Sequence, residues 1–450
     1  MSSSARVSKL AIATHFLHAH WRWHTLRGAA LKRYQDEHVQ RIVAFTNEHS
    51  SFYREHWRGH DLRDWRTLPL IDKQVMMAHF GDFNTRGIAL EEAMEVALHA
   101  ERSRNFSPQV GELTVGLSSG TSGHRGLFLV SPQEQAAWAG TMLARALHHL
   151  PRQPLRVAFF LRSNSNLYEQ IGSHLIRFRY FDLMLPLNQA VAELNAFQPQ
   201  ILVGPPSLLG FLAAEARSGR LHIRPERLIS VAEVLEEQDR ARIEASFAVP
   251  VHQIYQCTEG LLAVSCARGS LHIQEDAVAI QFEPLPDSGS DRVVPIVTDL
   301  WRSTQPIIRY RLNDVLHLET RSCPCGSPYR VLKAIEGRCD DVCTFEKLEG
   351  GLRPFYPDTL RRMILLASPA ISEYQVVQEA PGQLRISLEI AQGAVFDDVA
   401  QQIRESITTS CAEYGCCPGD VQIEQGITPL AAGAKRRRVI ARHTTSLQEP

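Results

Sequence analysis

Apolar and polar positions change their rhythm several times along the chain. From Arg27 to Ala44 apolar residues recur at helical spacing, and a second helical run follows near Val75–Phe80. From about residue 112 the texture shifts to short β-branched and aromatic runs separated by amphipathic ones. Glu112–Leu117 and Leu127–Val130 read as strands around a loop of small residues. Ser131-Pro132-Gln133-Glu134 then puts Ser at the N-cap, Pro at the first helical position and Glu two residues on, a capping box opening a helix to about Leu150. Strands are expected at Leu155–Leu161, Tyr180–Met184, Gln200–Val203, Leu228–Val231 and Val251–Tyr255. Helices are expected between them near Leu167–Ile176, Ala190–Phe197, Ser207–Ala216 and Glu236–Phe247. That alternation predicts an α/β fold with a doubly wound sheet. Residues 270–335 read as β-rich. Beyond Asp341 a helix near Pro357–Leu366, a hairpin of Tyr374–Glu379 and Leu384–Ile390, a helix near Phe396–Tyr414 and a strand near Val421–Gln425 predict a small α+β domain. The expected division is a helical entry region at 1–105, a core at 106–338 and a small C-terminal domain at 339–450.

Composition narrows the class. At about 150 residues per domain, 450 residues hold two to three domains. The 48 Lys+Arg and 49 Asp+Glu nearly cancel, which argues against sequence-independent nucleic-acid binding. No apolar run reaches the roughly 18 residues of a membrane helix. The first residues, broken by histidine and followed by Trp21, Arg22 and Trp23, make a poor signal peptide. Nine cysteines, an odd count, argue against a full disulfide framework. A soluble cytoplasmic protein without membrane or nucleic-acid partners is therefore expected. His15, His18, His20 and His24 are expected to be solvated or satisfied in the core.

Candidate chemistry lies in five segments. Ser118-Ser119-Gly120-Thr121-Ser122-Gly123 can turn backbone amides and hydroxyls toward phosphate oxygens. Its strand–loop–strand context differs from a Walker loop. Strand Val251–Tyr255 runs into Gln256-Cys257-Thr258-Glu259-Gly260, where a carboxylate beside a hydroxyl suits Mg²⁺ on phosphates. In Arg309-Tyr310-Arg311-Leu312-Asn313-Asp314 an acid expected after a strand can accept from both ribose hydroxyls. Gly337-Arg338-Cys339-Asp340-Asp341 falls where the large domain meets the small one, and Pro429 to Lys435 ends in a cation.

In this order and spacing the segments resemble the adenylate-forming superfamily of acyl-CoA synthetases and related ligases. The nearest branch is the phenylacetate–CoA ligase group with its relative that adenylates a deazaflavin coenzyme. The resemblance spans about residues 105–440 and implies a large domain followed by a mobile C-terminal lid. It implies an enzyme that uses ATP and Mg²⁺ to turn a small carboxylic acid, aryl or otherwise bulky, into acyl-AMP with release of pyrophosphate. The acyl group would then pass to the thiol of CoA or of a carrier protein. Ser118–Gly123 would cradle phosphates, and Val231-Ala232-Glu233 matches the adenine segment with Val in place of Gly. Tyr255 would pack on adenine, Glu259 would hold Mg²⁺ beside Thr258, and Asp314 and Arg338 would fix the ribose. Asp340 would be the hinge and Lys435 the catalytic lysine. Asn164, Tyr168 and Ala232 are candidates for the acyl pocket.

The chain departs from the pattern at His124-Arg125 after the phosphate loop, at Asn313 where Gly is common, and in Thr344–Pro357 after the hinge. These departures leave two alternatives open: a ligase with an amine or other non-CoA acceptor, and a non-catalytic nucleotide-binding protein on the same fold. Separately, Cys266, His272, Cys323 and Cys325 can complete a closed tetrahedral zinc site, with buried free thiols as the alternative. Cys411, Cys416 and Cys417 are expected to be packing thiols. The oligomeric state, a homodimer included, is left open.

Overall fold

The computed structural model describes residues 8–103, 108–117, 126–147, 153–161, 176–285, 291–428 and 435–443. The chain forms two compact units. The first comprises Met1–Phe282, Ile296–Leu312 and Glu319–Lys333, and the second Glu283–Pro295, Asn313–Leu318 and Ala334–Pro450.

The first unit is built on five parallel strands in the order Ile176–Asp182, Leu155–Leu161, Ile201–Gly204, Arg227–Ser230 and Val251–Cys257. The chain steps outward once from Leu155–Leu161 and then returns to that strand's other edge, which makes the sheet doubly wound. Successive side chains face opposite sides of a strand. Phe160 therefore packs with Phe181, Leu202, Leu228 and Ile243 under helices Leu187–Phe197, Pro206–Arg217 and Glu237–Phe247. Its neighbour Phe159 packs on the other face with Ile201, Val203 and Ile229. Strand Val251–Cys257 turns back through Thr258-Glu259 into the antiparallel strand Gly260–Ser265, which pairs in turn with Leu271–Ile273. Gln109–Val110, Leu113–Leu117 and Leu127–Val130 form a separate three-stranded antiparallel sheet.

Helix Lys9–Thr25 lies along helix Pro132–Ala146 at very short range. A Cβ on Gly140 would stand 2.5 Å from the Ile12 carbonyl oxygen, so only glycine admits this approach. The first helix also supplies Arg22, whose Nε donates to Asp276 at 2.9 Å. Arg145 donates two further bonds to the same carboxylate at 2.8 Å and one to Gln274 at 2.6 Å. Asp276 is fully buried, and burial works against its ionisation, yet the two guanidiniums hold its carboxyl below the ordinary value.

The second unit carries a four-stranded sheet in the order Asp420–Gln425, Gln383–Ile390, Ile371–Ala380 and Val439–Ala441. Helices Pro357–Leu365 and Phe396–Glu413 cover a core that includes Phe345, Phe355, Tyr374, Ile386 and Ile403. Before it, strand Val331–Arg338 leads into a 3₁₀ turn at Cys339–Asp341. Gly337 has φ +142°, and a Cβ there would lie 3.1 Å from Pro357 Cγ, so the approach to the turn is reserved for glycine.

Several expected boundaries move. The helix opened by the Ser131 capping box is present but stops at Ala146, where the Leu147 amide closes on Leu143. The strand expected at Tyr180–Met184 runs instead over Ile176–Asp182, because Leu183-Met184 turns toward the next helix. Most of the helix expected at Leu167–Ile176 lies outside the described residues, and Ile176 itself opens a strand. Asp314 follows the two-residue strand Tyr310–Arg311, as expected, and is itself the first residue of the next strand, Asp314–Glu319. Among the described residues no helix is long and apolar enough to cross a membrane.

Candidate active site and metal centre

Thr258 and Glu259 form the two-residue connection between antiparallel strands Val251–Cys257 and Gly260–Ser265. The Thr258 hydroxyl donates to Glu259 Oε2 at 2.8 Å, and Glu259 is buried. Tyr310, on the two-residue strand Tyr310–Arg311, directs its hydroxyl to Glu259. Burial first, and the Glu259 charge second, push that phenol far above its ordinary range, so it stays a hydrogen-bond donor to the carboxylate. From the other side Arg302 donates to the Thr258 carbonyl. Arg302 is placed by Asp299, whose Oδ1 accepts the amides of Trp301 at 2.8 Å and Arg302 at 2.9 Å. Burial pushes the Asp299 carboxyl up to about 6 against the opposing pull of Arg302. Glu134, besides closing the capping box, accepts the amides of Ser303 at 2.6 Å and Thr304 at 2.8 Å. The Thr258-Glu259 turn is thus fixed by residues from three separate chain segments.

Tyr255 is half-buried on strand Val251–Cys257, opposite Ala263. Ala232 is exposed with φ +68°, a left-handed conformation costly for a residue with a Cβ. Glu233 accepts the Ser207 amide at 3.2 Å, at the start of helix Pro206–Arg217, so its carboxylate serves locally as a helix cap. Asp314, Arg338, Asp340 and Lys435 belong to the second unit, where Arg338 and Lys435 are half-buried and Asp340 is exposed. Asn313 Nδ2 donates to Asp340 Oδ2 at 2.5 Å. Ser118, Ser119, Gly120, Thr121, Ser122 and Gly123, with Asn164 and Tyr168, lie outside the described residues.

Sequence reasoning missed Arg302, Asp299 and Tyr310 as supports of Glu259. Their only signal in sequence is the Arg309-Tyr310-Arg311 run, where the downstream acid Asp314 is the more evident candidate.

The Cys/His cluster assembles within the first unit. Cys266 follows strand Gly260–Ser265, His272 lies on Leu271–Ile273, and Cys323 and Cys325 come from the Cys-Pro-Cys-Gly knuckle. Their ligand atoms all lie within 4.8 Å of one another. Bonds of about 2.3 Å to sulfur and 2.0–2.1 Å to nitrogen at a tetrahedral zinc require S···S near 3.8 Å and S···N near 3.5 Å. Cys266 Sγ and Cys323 Sγ are 3.8 Å apart, and Cys325 Sγ and His272 Nε2 are 3.4 Å apart. His272 Nδ1 bonds the Tyr329 carbonyl at 2.9 Å, which fixes the tautomer that leaves Nε2 for a metal. The amides of Cys325 and Ser327 point at Cys323 Sγ and Cys325 Sγ, at 3.5 and 3.4 Å. Trp23, with ring centroids 5.4 Å from His272 and 5.1 Å from Tyr329, packs beside the cluster. The donor set fits a closed, structural zinc site.

No family model matches the chain. It is 23% identical over 465 residues to the phenylacetate–coenzyme A ligase of Thermus thermophilus, covering 92% of this chain and 97% of that ligase. In fold it is similar to a 2-hydroxyisobutyryl-CoA ligase solved in the postadenylation state with 2-HIB-AMP, at TM-score 0.71 and 20% identity over 93% of this chain and 91% of that one. An acyl acid amido synthetase in complex with 2,4-DB shares the fold at TM-score 0.61 and 12% identity, over 96% and 94% of the two chains. The chain therefore shares its fold with a 2-hydroxyisobutyryl-CoA ligase and an acyl acid amido synthetase. In sequence it is similar along nearly its whole length to that phenylacetate–coenzyme A ligase.

Proposed function

We propose that the protein activates a small carboxylic acid with ATP, forming acyl-AMP and pyrophosphate, and passes the acyl group to the thiol of CoA. The observation that carries the reading is the Thr258-Glu259 turn, with its hydroxyl–carboxylate pair at 2.8 Å held by Arg302 and Tyr310. Full-length similarity to a phenylacetate–coenzyme A ligase supports it.

In the adenylation step a carboxylate oxygen of the acid attacks the α-phosphorus of ATP and pyrophosphate leaves. Two anions must approach, so the protein's task is to neutralise charge and hold the reactants in line. Glu259 is the carboxylate that would hold Mg²⁺, whose contribution when bound is to neutralise phosphate charge. Tyr310 and Thr258 keep the Glu259 oxygens aimed by donating to them. Asp314 and Arg338 would hold the ribose, Ser118–Gly123 the phosphates, and Lys435 would place its ammonium between acid and α-phosphate. Asn164, Tyr168 and Ala232 are proposed for the acyl pocket. Zinc at Cys266, His272, Cys323 and Cys325 would be structural, because four protein ligands leave no open position.

Pyrophosphate exchange into ATP tests the reading, driven by a panel of aryl, arylacetic and short branched hydroxy acids, phenylacetate and 2-hydroxyisobutyrate included. Exchange with one acid class, lost in Lys435→Ala, is the expected result. Silence across the panel despite ATP binding would overturn it. A positive acid is then offered CoA, a carrier protein and simple amines, and thioester formation with CoA alone is expected.

A further inference from the structure

The 3₁₀ turn Cys339–Asp341 carries two adjacent acids that turn to different parts of the second unit. Asp340 takes the Asn313 side-chain amide at 2.5 Å, and the Cys339 amide donates to the Asn313 carbonyl at 3.0 Å. Asn313 directly precedes Asp314, the proposed ribose ligand, and stands where the resembling family commonly has glycine. Asp341, buried, pairs with the Arg437 guanidinium.

Arg437 lies two residues after Lys435, in a run that sequence alone reads as easily as a solvated basic tail. The structure gives all three arginines of that run acidic partners. Arg436 and Arg438 converge on Glu373, at 2.7 Å and 2.5 Å, while Arg437 reaches back to the turn. Arg438 is buried, and Val439–Ala441 then pairs in parallel with Ile371–Ala380. The segment that begins at Lys435 is therefore anchored at once to a sheet and to the hinge.

We propose that Asn313 and Arg437 are positioning residues that clasp the hinge turn from both sides, tying the ribose segment and the Lys435 segment into one preset arrangement for adenylation. The inference rests on the ligase reading for its consequence, since the clasp itself touches no reacting atom. Lys435 is needed only when acid and ATP react. Loosening the clasp should therefore slow adenylation and leave attack by the thiol on a finished adenylate unaffected.

Asn313→Asp, which replaces the donor with a second carboxylate, and Arg437→Ala are compared with the parent, with Arg437→Lys as the conservative variant. Two half-reactions are measured: pyrophosphate exchange with the best acid of the panel, and CoA thiolysis of its synthetic adenylate. The expected result is a fall of about tenfold in exchange kcat, equal to roughly 1.4 kcal/mol, with ATP KM and thiolysis each within about twofold of the parent. Arg437→Lys should recover most of the loss. A change of less than about threefold in the ratio of the two half-reactions would overturn the proposal, because a merely structural role lowers both together.

Hydrogen exchange gives a readout that needs no substrate. Either variant should speed exchange by about fivefold or more in both peptides, 338–342 and 436–441. Faster exchange confined to the peptide nearest the substitution would also overturn it. If the parent shows no pyrophosphate exchange with any acid, the ligase reading fails and hydrogen exchange alone decides the clasp.

Discussion

The Cys/His cluster and the candidate reaction site solve opposite problems with similarly sparse sets of side chains. Cys266, His272, Cys323 and Cys325 come from three chain segments of one unit, with ligand atoms gathered within 4.8 Å. Backbone amides and the Tyr329 carbonyl complete its surroundings. By contrast, Thr258 and Glu259 lie in one unit, and Asp314, Arg338 and Lys435 in the other. A structural centre works by being closed in the resting fold. The residues proposed for adenylation are instead shared between two units, and each set is held by contacts inside its own unit.

The contrast breaks most sharply through the metal. Cys323→Ser should remove zinc, measured as one equivalent per chain in the parent by elemental analysis. It should also cost about 4 kcal/mol or more in denaturant unfolding. Adenylation per folded molecule should stay within about threefold. A variant of unchanged stability, from a parent without zinc, would make the cluster a set of packed thiols.

Lys435→Ala should do the reverse. Exchange should fall roughly 10²–10³-fold, while zinc content holds and stability moves by less than about 1 kcal/mol. Tyr310→Phe sharpens the comparison within the first unit. Losing one donor to the Glu259 carboxylate should cost about tenfold in kcat and raise the Mg²⁺ needed for half-maximal exchange. Equal loss at saturating Mg²⁺ without that shift would separate Tyr310 from the metal.

The smallest effect is a pH dependence in the second unit. Burial opposes ionisation of Glu373, but Arg438 and Arg436 bring its carboxyl below the ordinary 4.5. A carboxyl lowered on folding contributes stability that is fully present above its unfolded value and lost as pH falls through its folded one. The stability gap between parent and Glu373→Gln, about 1 kcal/mol at pH 7, should shrink toward pH 3.5. A gap constant with pH would mean that charge at Glu373 contributes nothing.

What could be read in advance follows the range of the interactions. The Ser131 capping box and the alternation of Leu384, Ile386 and Leu388 are local, and the helix and strand they predict are present. The cluster was legible because cysteine and histidine carry their chemistry in their identity. Arg302 and Asp299 were not, because an arginine holding a carbonyl looks like any other in sequence. The N-terminal region reads in sequence only as a helical entry region, yet Arg22 and Trp23 reach Asp276 and His272. No local pattern marks a partner 254 residues away. Asn313 was visible only as a departure, and its bond to Asp340 gives that departure a physical meaning.

That distance between Arg22 and Asp276 is also an interval of time. At about 5–20 residues per second of synthesis, the first helix leaves the ribosome roughly 13 to 50 s before the carboxylate that will receive its guanidinium. Until then Arg22 and Trp23, buried or half-buried in the finished protein, stay beside Leu17 and Trp21, which remain exposed even at the end. The nascent chain thus exposes these aromatic and aliphatic side chains until helix Pro132–Ala146, and later Asp276, have emerged. Holding factors at the ribosome exit would meet this segment well before its partner, and the yield of folded protein should depend on them more than its final stability suggests.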